Sequence, residues 1–180
     1  MKPQRLEGLP PIIDRDTRLV ILGSFPSETS LKKQQYYAFS QNQFWPIILR
    51  LLGRGGSQLN YTEKTKLLLR NGIGLWDVIH SCERSGSADH GFRQVVLNNL
   101  EKFFSQWSNI QRVYLNGKAA QKYFDRIQVT SVTSEYLPST SPAYAVGLDR
   151  KVLIWKKALS GEGIGASKLF KRSLETGRIQ

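Results

Sequence analysis

"RLVILGSFPSETSLKKQQYYAFSQNQFWPIILRLL", residues 18–52, decides how this chain is read. "RLVILG" (18–23) is a continuous apolar run closed by a glycine, the pattern of a strand buried on both faces. "NQFWPIILRLLG" (42–53) has apolar residues at helical spacing and a glycine stop. Between them lies a polar stretch crowded with Ser, Gln, Tyr and Phe. A strand-to-helix connection is normally two to six residues or so. So many hydrogen-bonding groups and flat rings in one connection call for a further explanation.

The same alternation continues along the chain. "YTEKTKLLLRNG" (61–72) predicts a helix, "IGLWDVI" (73–79) a strand, and "CERSGSADHG" (82–91) a polar loop. In "FRQVVLNNLEKFFSQW" (92–107) the apolar residues at 95, 96, 100, 103, 104 and 107 predict one long helix. "RVYLNG" (112–117) predicts a strand, "KAAQKYFDRI" (118–127) a helix, and "VTSVT" (129–133) a weak fourth strand. "SEYLPSTSPAYAVG" (134–147) reads as a loop and "VLIWKKAL" (152–159) as the last helix. Alternating strands and helices imply an α/β fold with a mainly parallel sheet and helices on both faces. The expected organisation is one domain over 1–180, with its motifs within about 18–160 and a basic segment at 161–180. In such folds ligands gather at the carboxyl ends of the strands. The three loops expected there follow Gly23, follow Asp77 and surround 137–144; they are also the most polar loops of the chain.

Composition narrows the class. The 180 residues are 40% hydrophobic, enough for an ordinary core and too apolar for disorder. No apolar run reaches membrane-span length, and "MKPQRLEGLPPIIDRD" has no signal-peptide core, so a cytoplasmic protein is expected. Cys82 is the only cysteine, which excludes an internal disulfide and a zinc ribbon. The net charge is +12, from 26 Lys and Arg against 14 Asp and Glu. An excess of this size points to a polyanion, nucleic acid above all. It rises in residues 150–180, which hold eight basic and two acidic residues, Lys156 and Lys157 among the basic ones.

Each polar loop carries candidate chemistry beside a plainer role. "GSFPS" (23–27) combines a glycine that permits close backbone approach with a stiffening proline, but lacks the endings of a phosphate loop or a dinucleotide fingerprint. In "YYAFSQNQFW" (36–45) the rings offer stacking faces and Asn42 can hold a water or read a base edge. Asn42 could equally be a helix cap, and Phe44 and Trp45 fit the next helix's core face. Asp77, ending an apolar strand, must be solvated, paired or functional, or cap the next turn. The Ser/Pro loop "LPSTSPAYA" (137–145) suits a grip on backbone phosphate, or is ordinary surface. His80 and His90 have no metal-ligand spacing, and a Ser/His/Asp hydrolase lacks its Gly-x-Ser-x-Gly elbow.

Taken in order, "LGSFPS", "QQYYA", "NQFW", "GLWDVI", "SCERSGS.D", "NGK.A" and "STSPA" resemble the uracil-DNA glycosylase superfamily, most of all its hypoxanthine-DNA glycosylase branch. The resemblance implies a three-layer α/β/α sandwich with a four-stranded parallel sheet. It implies a monofunctional glycosylase that flips a deaminated or mismatched base from DNA, works as a monomer and needs no metal or cofactor. Gly23, Ser24, Phe25, Pro26 and Ser27 match the first motif beneath the flipped nucleotide, with Phe25 where many relatives place a water-positioning Asp or Asn. Asn42 matches the catalytic Asn of the hypoxanthine branch, Tyr37 the ring stacked on the base, and Asp77 the base-reading position. Ser139, Thr140, Ser141 and Pro142 match the second motif, with Ser139 where several branches carry His or Asn. Tyr144 stands near the place of a leucine wedge, and with Lys156 and Lys157 is expected on DNA. A proline expected shortly before the catalytic Asn is absent from "FSQN". A uracil or mismatch glycosylase, or a silent DNA binder on the same scaffold, are the alternatives.

Overall fold

The computed structural model describes residues 5–84 and 91–160. In chain order its elements are β1 (Arg5–Glu7), β2 (Leu19–Gly23), α1 (Glu28–Lys33), α2 (Phe44–Leu51), α3 (Tyr61–Arg70), β3 (Ile73–Asp77) and β4 (Ile79–Glu83). There follow β5 (Arg93–Leu97), α4 (Leu100–Gln106), β6 (Arg112–Asn116), α5 (Lys118–Phe124), β7 (Thr133–Leu137) and α6 (Leu148–Leu159).

Strands β3, β2, β6 and β7 form a four-stranded parallel sheet in that order, with Ile21 beside Leu75 on one side and Tyr114 on the other. Alternation in β2 sends its residues to two cores. Leu19 and Ile21 join Phe44, Ile47, Ile48, Leu68 and Trp155 of α2, α3 and α6. Val20 and Leu22 join Phe103, Phe104, Ala120 and Phe124 of α4 and α5. The sheet is thus sandwiched between helices, which is why its central strand is apolar throughout. In α2 the buried residues Phe44, Ile47, Ile48 and Leu51 lie on one helical stripe. Pro46 is tolerated because it falls in the first turn, where backbone N–H groups have no intrahelical acceptor. Trp155 is sealed between α6 and the sheet and donates its indole N–H to Pro138 O at 3.0 Å.

The chain leaves β2 and returns as β3 on one side; β6, reached later, lies on the other. Winding therefore reverses about β2, and loops leaving adjacent strand ends diverge to open a crevice there.

Several sequence expectations are corrected. Residues 92–107 are not one helix: Arg93–Leu97 is a strand and only Leu100–Gln106 is helical. The β-branched pair Val95–Val96 favours the extended form, and β5 pairs antiparallel with β4, which also pairs with β1. That three-stranded sheet takes Ile79–Glu83, which extends into the predicted 82–91 loop. The fourth parallel strand is Thr133–Leu137 rather than 129–133; as an edge strand it exposes Thr133, Ser134 and Glu135, so its polarity disguised it as loop. Finally, the polar connection contains a short helix, α1, and α6 begins at Leu148 rather than 152. The basic segment 161–180 lies outside the described residues.

Candidate active site

At the carboxyl ends of β2, β3 and β6 lies a cavity of about 190 Å³. The loop after β2 forms one wall. Its carbonyls are held from behind: Gly23 O and Ser24 O accept from Val78 N and Ile79 N at 2.9 and 3.0 Å, and Pro26 O accepts from buried Arg84 at 2.7 Å. The Arg84 guanidinium lies beside the edge-to-face pair of Phe25 and Phe92, 5.1 and 5.4 Å from their ring centroids. Phe25 reaches the cavity yet is itself almost wholly buried in the second core. Ser27 turns the chain into α1 by accepting from Ser30 N at 3.2 Å.

Glycine at position 23 is required by what crosses it. A Cβ there would lie 2.3 Å from Asp77 Oδ1 and 3.2 Å from the Tyr37 hydroxyl. The backbone of the first motif is thus the floor on which Asp77, 3% exposed, and Tyr37 converge. Asp77 is fixed through its backbone, whose carbonyl accepts from Asn98 Nδ2 at 2.8 Å. Its negative charge reinforces the effect of burial on neighbouring Tyr36, whose phenol is pushed well above the ordinary tyrosine range. That hydroxyl stays protonated and donates toward Leu9 O and Pro10 O.

Tyr37 has φ +54°, a left-handed conformation that costs a bulky residue on the order of 1–3 kcal/mol. Two contacts, one on its ring and one on its hydroxyl, help to hold it. One is a stack on Phe44, 3.9 Å between centroids and 17° between planes. The other is a hydrogen bond from Asn116 Nδ2 to its hydroxyl at 3.0 Å. Asn116 also donates to Thr140 Oγ1 and accepts from Thr140 N, both at 3.0 Å. One carboxamide at the end of β6 therefore braces Tyr37 against the Ser/Pro loop. Gly117 next to it has φ +97° and packs against Ser139, leaving no room for a side chain. The Ser/Pro loop is also tied to α2 through Gln43 N, which donates to Thr140 O at 2.9 Å.

Asn42 lines the cavity, and its Oδ1 accepts from Phe44 N at 2.9 Å, so it serves the start of α2 as well. The structure thus brings Gly23, Ser24, Phe25, Pro26, Ser27, Tyr37, Asn42, Asp77, Ser139, Thr140, Ser141 and Pro142 to one cavity. Tyr144 is not part of its lining. Neither are Lys156 and Lys157, which sit in the last turn of α6, about 12 Å of helix from Leu148. Sequence reading missed Ser30, Tyr36, Phe39 and Asn116, which also line it. For Asn116 a signal existed: like Asp77, it is a polar residue that ends an apolar strand. Among the described residues no group of three or more His, Cys, Asp or Glu could hold a metal ion.

Known proteins share this architecture over most of its length. The chain is 32% identical over 152 residues to the hypoxanthine DNA glycosylase of Methanosarcina barkeri, covering 84% of this chain and 96% of that protein. To the hypoxanthine DNA glycosylase of Methanosarcina acetivorans it is 33% identical over 136 residues, 76% of this chain and 86% of that one. The solution NMR structure of a candidate uracil DNA glycosylase from Methanosarcina acetivorans superposes with a TM-score of 0.75 at 30% identity, covering 85% of this chain and 95% of that one. Residues 10–159, which contain the four-stranded sheet, nearly all of both cores and every wall of the cavity, match the uracil DNA glycosylase superfamily model, and the chain belongs to that superfamily.

Proposed function

We propose that this DNA glycosylase removes hypoxanthine, the deamination product of adenine, from DNA. The observation that carries the reading is the convergence of Tyr37, Asp77 and Asn42 on one small cavity at the strand ends, in a chain similar to two hypoxanthine DNA glycosylases. The cavity is smaller than a drug-sized site of roughly 300–1,000 Å³ and suits one flipped base.

Hydrolysis breaks the bond between C1′ of deoxyribose and N9 of the base. Water oxygen forms the new bond to C1′, the N9 electron pair leaves with the base, and the water's protons end on the sugar hydroxyl and the released hypoxanthine. The transition state carries positive charge on the sugar and negative charge on the base, so fixed dipoles that need no reorganisation lower its energy. Asn42 holds the attacking water through its carbonyl oxygen, whose second lone pair is left after Phe44 N has taken the first. Tyr37, backed by Phe44, offers its ring to the base, a contact worth about 1–3 kcal/mol for any base. The Asp77 carboxylate accepts from hypoxanthine N1–H, which adenine lacks. Uracil has a comparable N3–H, so the shape of the cavity over Phe25 must supply that discrimination.

The test is alkaline cleavage after incubation with duplexes containing inosine, uracil or a G·T pair, with and without chelator. Inosine cleaved fastest, chelator or not, is the expected result. Uracil released as fast as hypoxanthine from matched mispairs makes this a uracil or mismatch enzyme, and no cleavage anywhere makes it a binder.

A further inference from the structure

Two large rings near the cavity stay open to solvent, Phe39 at 39% and Tyr144 at 40%. A glycosylase that acts on duplex needs a group to fill the gap left by the extruded nucleotide, because extrusion costs a few kcal/mol of lost stacking and pairing. That group must be apolar, exposed at the cavity mouth and rigidly presented. We infer that Phe39 is the wedge that inserts into the base stack, and that Tyr144, which stands nearer the usual place of such a residue, is not.

Phe39 lines the cavity and is at the same time open to solvent, which puts it at the opening rather than on the floor. Its backbone is fixed on both sides. Ala38 N donates to Ser30 Oγ at 3.2 Å, and Asn42 N donates to Phe39 O at 2.9 Å, closing a turn over 39–42. Tyr37, two residues earlier, is locked by its stack and by Asn116. The phenyl on this constrained turn belongs to neither core and keeps a large part of its surface in solvent.

Tyr144 is committed elsewhere. Lys151 is 0% exposed, and its ammonium lies 5.3 Å from the centroid of the Tyr144 ring. The ammonium donates to Ser141 O at a long 3.4 Å, so the π-face is a large part of what stabilises a cation taken out of water. Swinging Tyr144 into DNA would strip that buried charge of its ring. Tyr144 can still touch a phosphate through its hydroxyl; it cannot leave its seat cheaply.

This inference rests on the glycosylase reading, and two assays separate them. In the first, single-turnover excision of deoxyinosine is measured opposite cytosine, in a poorer pair with guanine, and in single strand. Phe39→Ala should lose at least tenfold more rate opposite cytosine than in single strand, with the guanine pair between, and Phe39→Leu should recover most of that difference. Tyr144→Ala should change all three rates by a common factor. In the second, 2-aminopurine is placed opposite a tetrahydrofuran abasic analogue. Protein saturating by anisotropy should alter its fluorescence, and Phe39→Ala should abolish that change. Equal loss in all three contexts makes Phe39 a wall of the pocket and overturns the wedge, as does an unaltered 2-aminopurine signal. A wild type that leaves inosine intact but shows a Phe39-dependent signal refutes the base assignment and keeps the wedge.

Discussion

Replacing Asn42 tests the chemistry most directly, because the structure gives its side chain two separable duties. Its Oδ1 accepts from Phe44 N at 2.9 Å, a local bond that satisfies one of the open donors at the start of α2. Its position on the cavity wall supplies the second duty, holding water. Asn42→Ala removes both. Loss of the helix-start bond should cost about 1 kcal/mol, a fall of about 2–4 °C in melting temperature for a chain of this size. Loss of the water-holding oxygen should lower single-turnover excision by about 10²-fold or more, roughly 2.7 kcal/mol in the barrier. Asn42→Asp separates the two. It keeps an oxygen for Phe44 N, places negative charge at a helix N-terminus where it is worth about 0.3–1 kcal/mol, and can still accept from water. It should melt at or above the wild-type temperature and stay within about tenfold of the wild-type rate. Melting and cleavage are read on the same preparations. Asn42→Ala at full rate with lowered melting temperature would reduce the residue to a helix cap. If both variants lose the rate with normal melting, the amide N–H₂ is the working group and the water-holding role is wrong.

Gly23→Ala should abolish excision and destabilise the fold by about 1–3 kcal/mol, since its Cβ would fall 2.3 Å from Asp77 Oδ1; a variant with native activity and melting would show that Asp77 is not seated as described. Burial holds the Lys151 ammonium below its ordinary value of 10.5, so the folded state releases this proton before the unfolded chain does and gains stability as pH rises toward that value. Lys151→Met should therefore melt higher than wild type at pH 7, with the advantage shrinking toward pH 10; parallel pH–melting curves would show a solvated lysine. Charge reversal of Lys156 and Lys157, both exposed in the last turn of α6, should flatten the salt dependence of DNA affinity by nearly two units; an unchanged slope would mean that this end of α6 is only solvated surface.

What the sequence disclosed followed from how far each pattern reaches. The apolar run of β2 and the stripe of α2 are local, and both elements lie where periodicity puts them. The 92–107 stretch misled because apolar residues spaced by three and four fit a helix, whereas Val95 and Val96 extend beside β4, a partner that spacing within the segment cannot show. The edge strand β7 is polar because water, not a core, faces much of it. The cavity was legible where a residue type was out of place for its element, as with Asp77 at a strand end. Asn116 was out of place in the same way, but its meaning lies in bonds to Tyr37 and Thr140, 79 and 24 positions away. Lys151 reads as a surface residue of α6, and only the fold of the Ser/Pro loop over it makes it a buried cation.

The long connection after β2 can now be accounted for physically. A loop that carries a site must hold its groups still, because dipoles that reorient during reaction forfeit their advantage. This one is stitched down at intervals. Tyr36 N donates to the Tyr61 hydroxyl at 2.9 Å, Trp45 Nε1 donates to Tyr36 O at 3.0 Å, and Ala38 N is held by Ser30 Oγ. Gln43 N then reaches Thr140 O, so the loop bearing Tyr37 and Asn42 is joined to the Ser/Pro loop as well as to its own helices. The entropy of closing a longer loop grows slowly, about 0.6 kcal/mol per doubling, and hydrogen bonds of about 1 kcal/mol each more than offset it. Length lets rings, carboxamide and wedge stand around one opening, and the stitches make that arrangement rigid before DNA arrives. It follows that cutting a stitch far from the cavity, such as the Tyr61 hydroxyl, should slow excision without touching any group that meets the base.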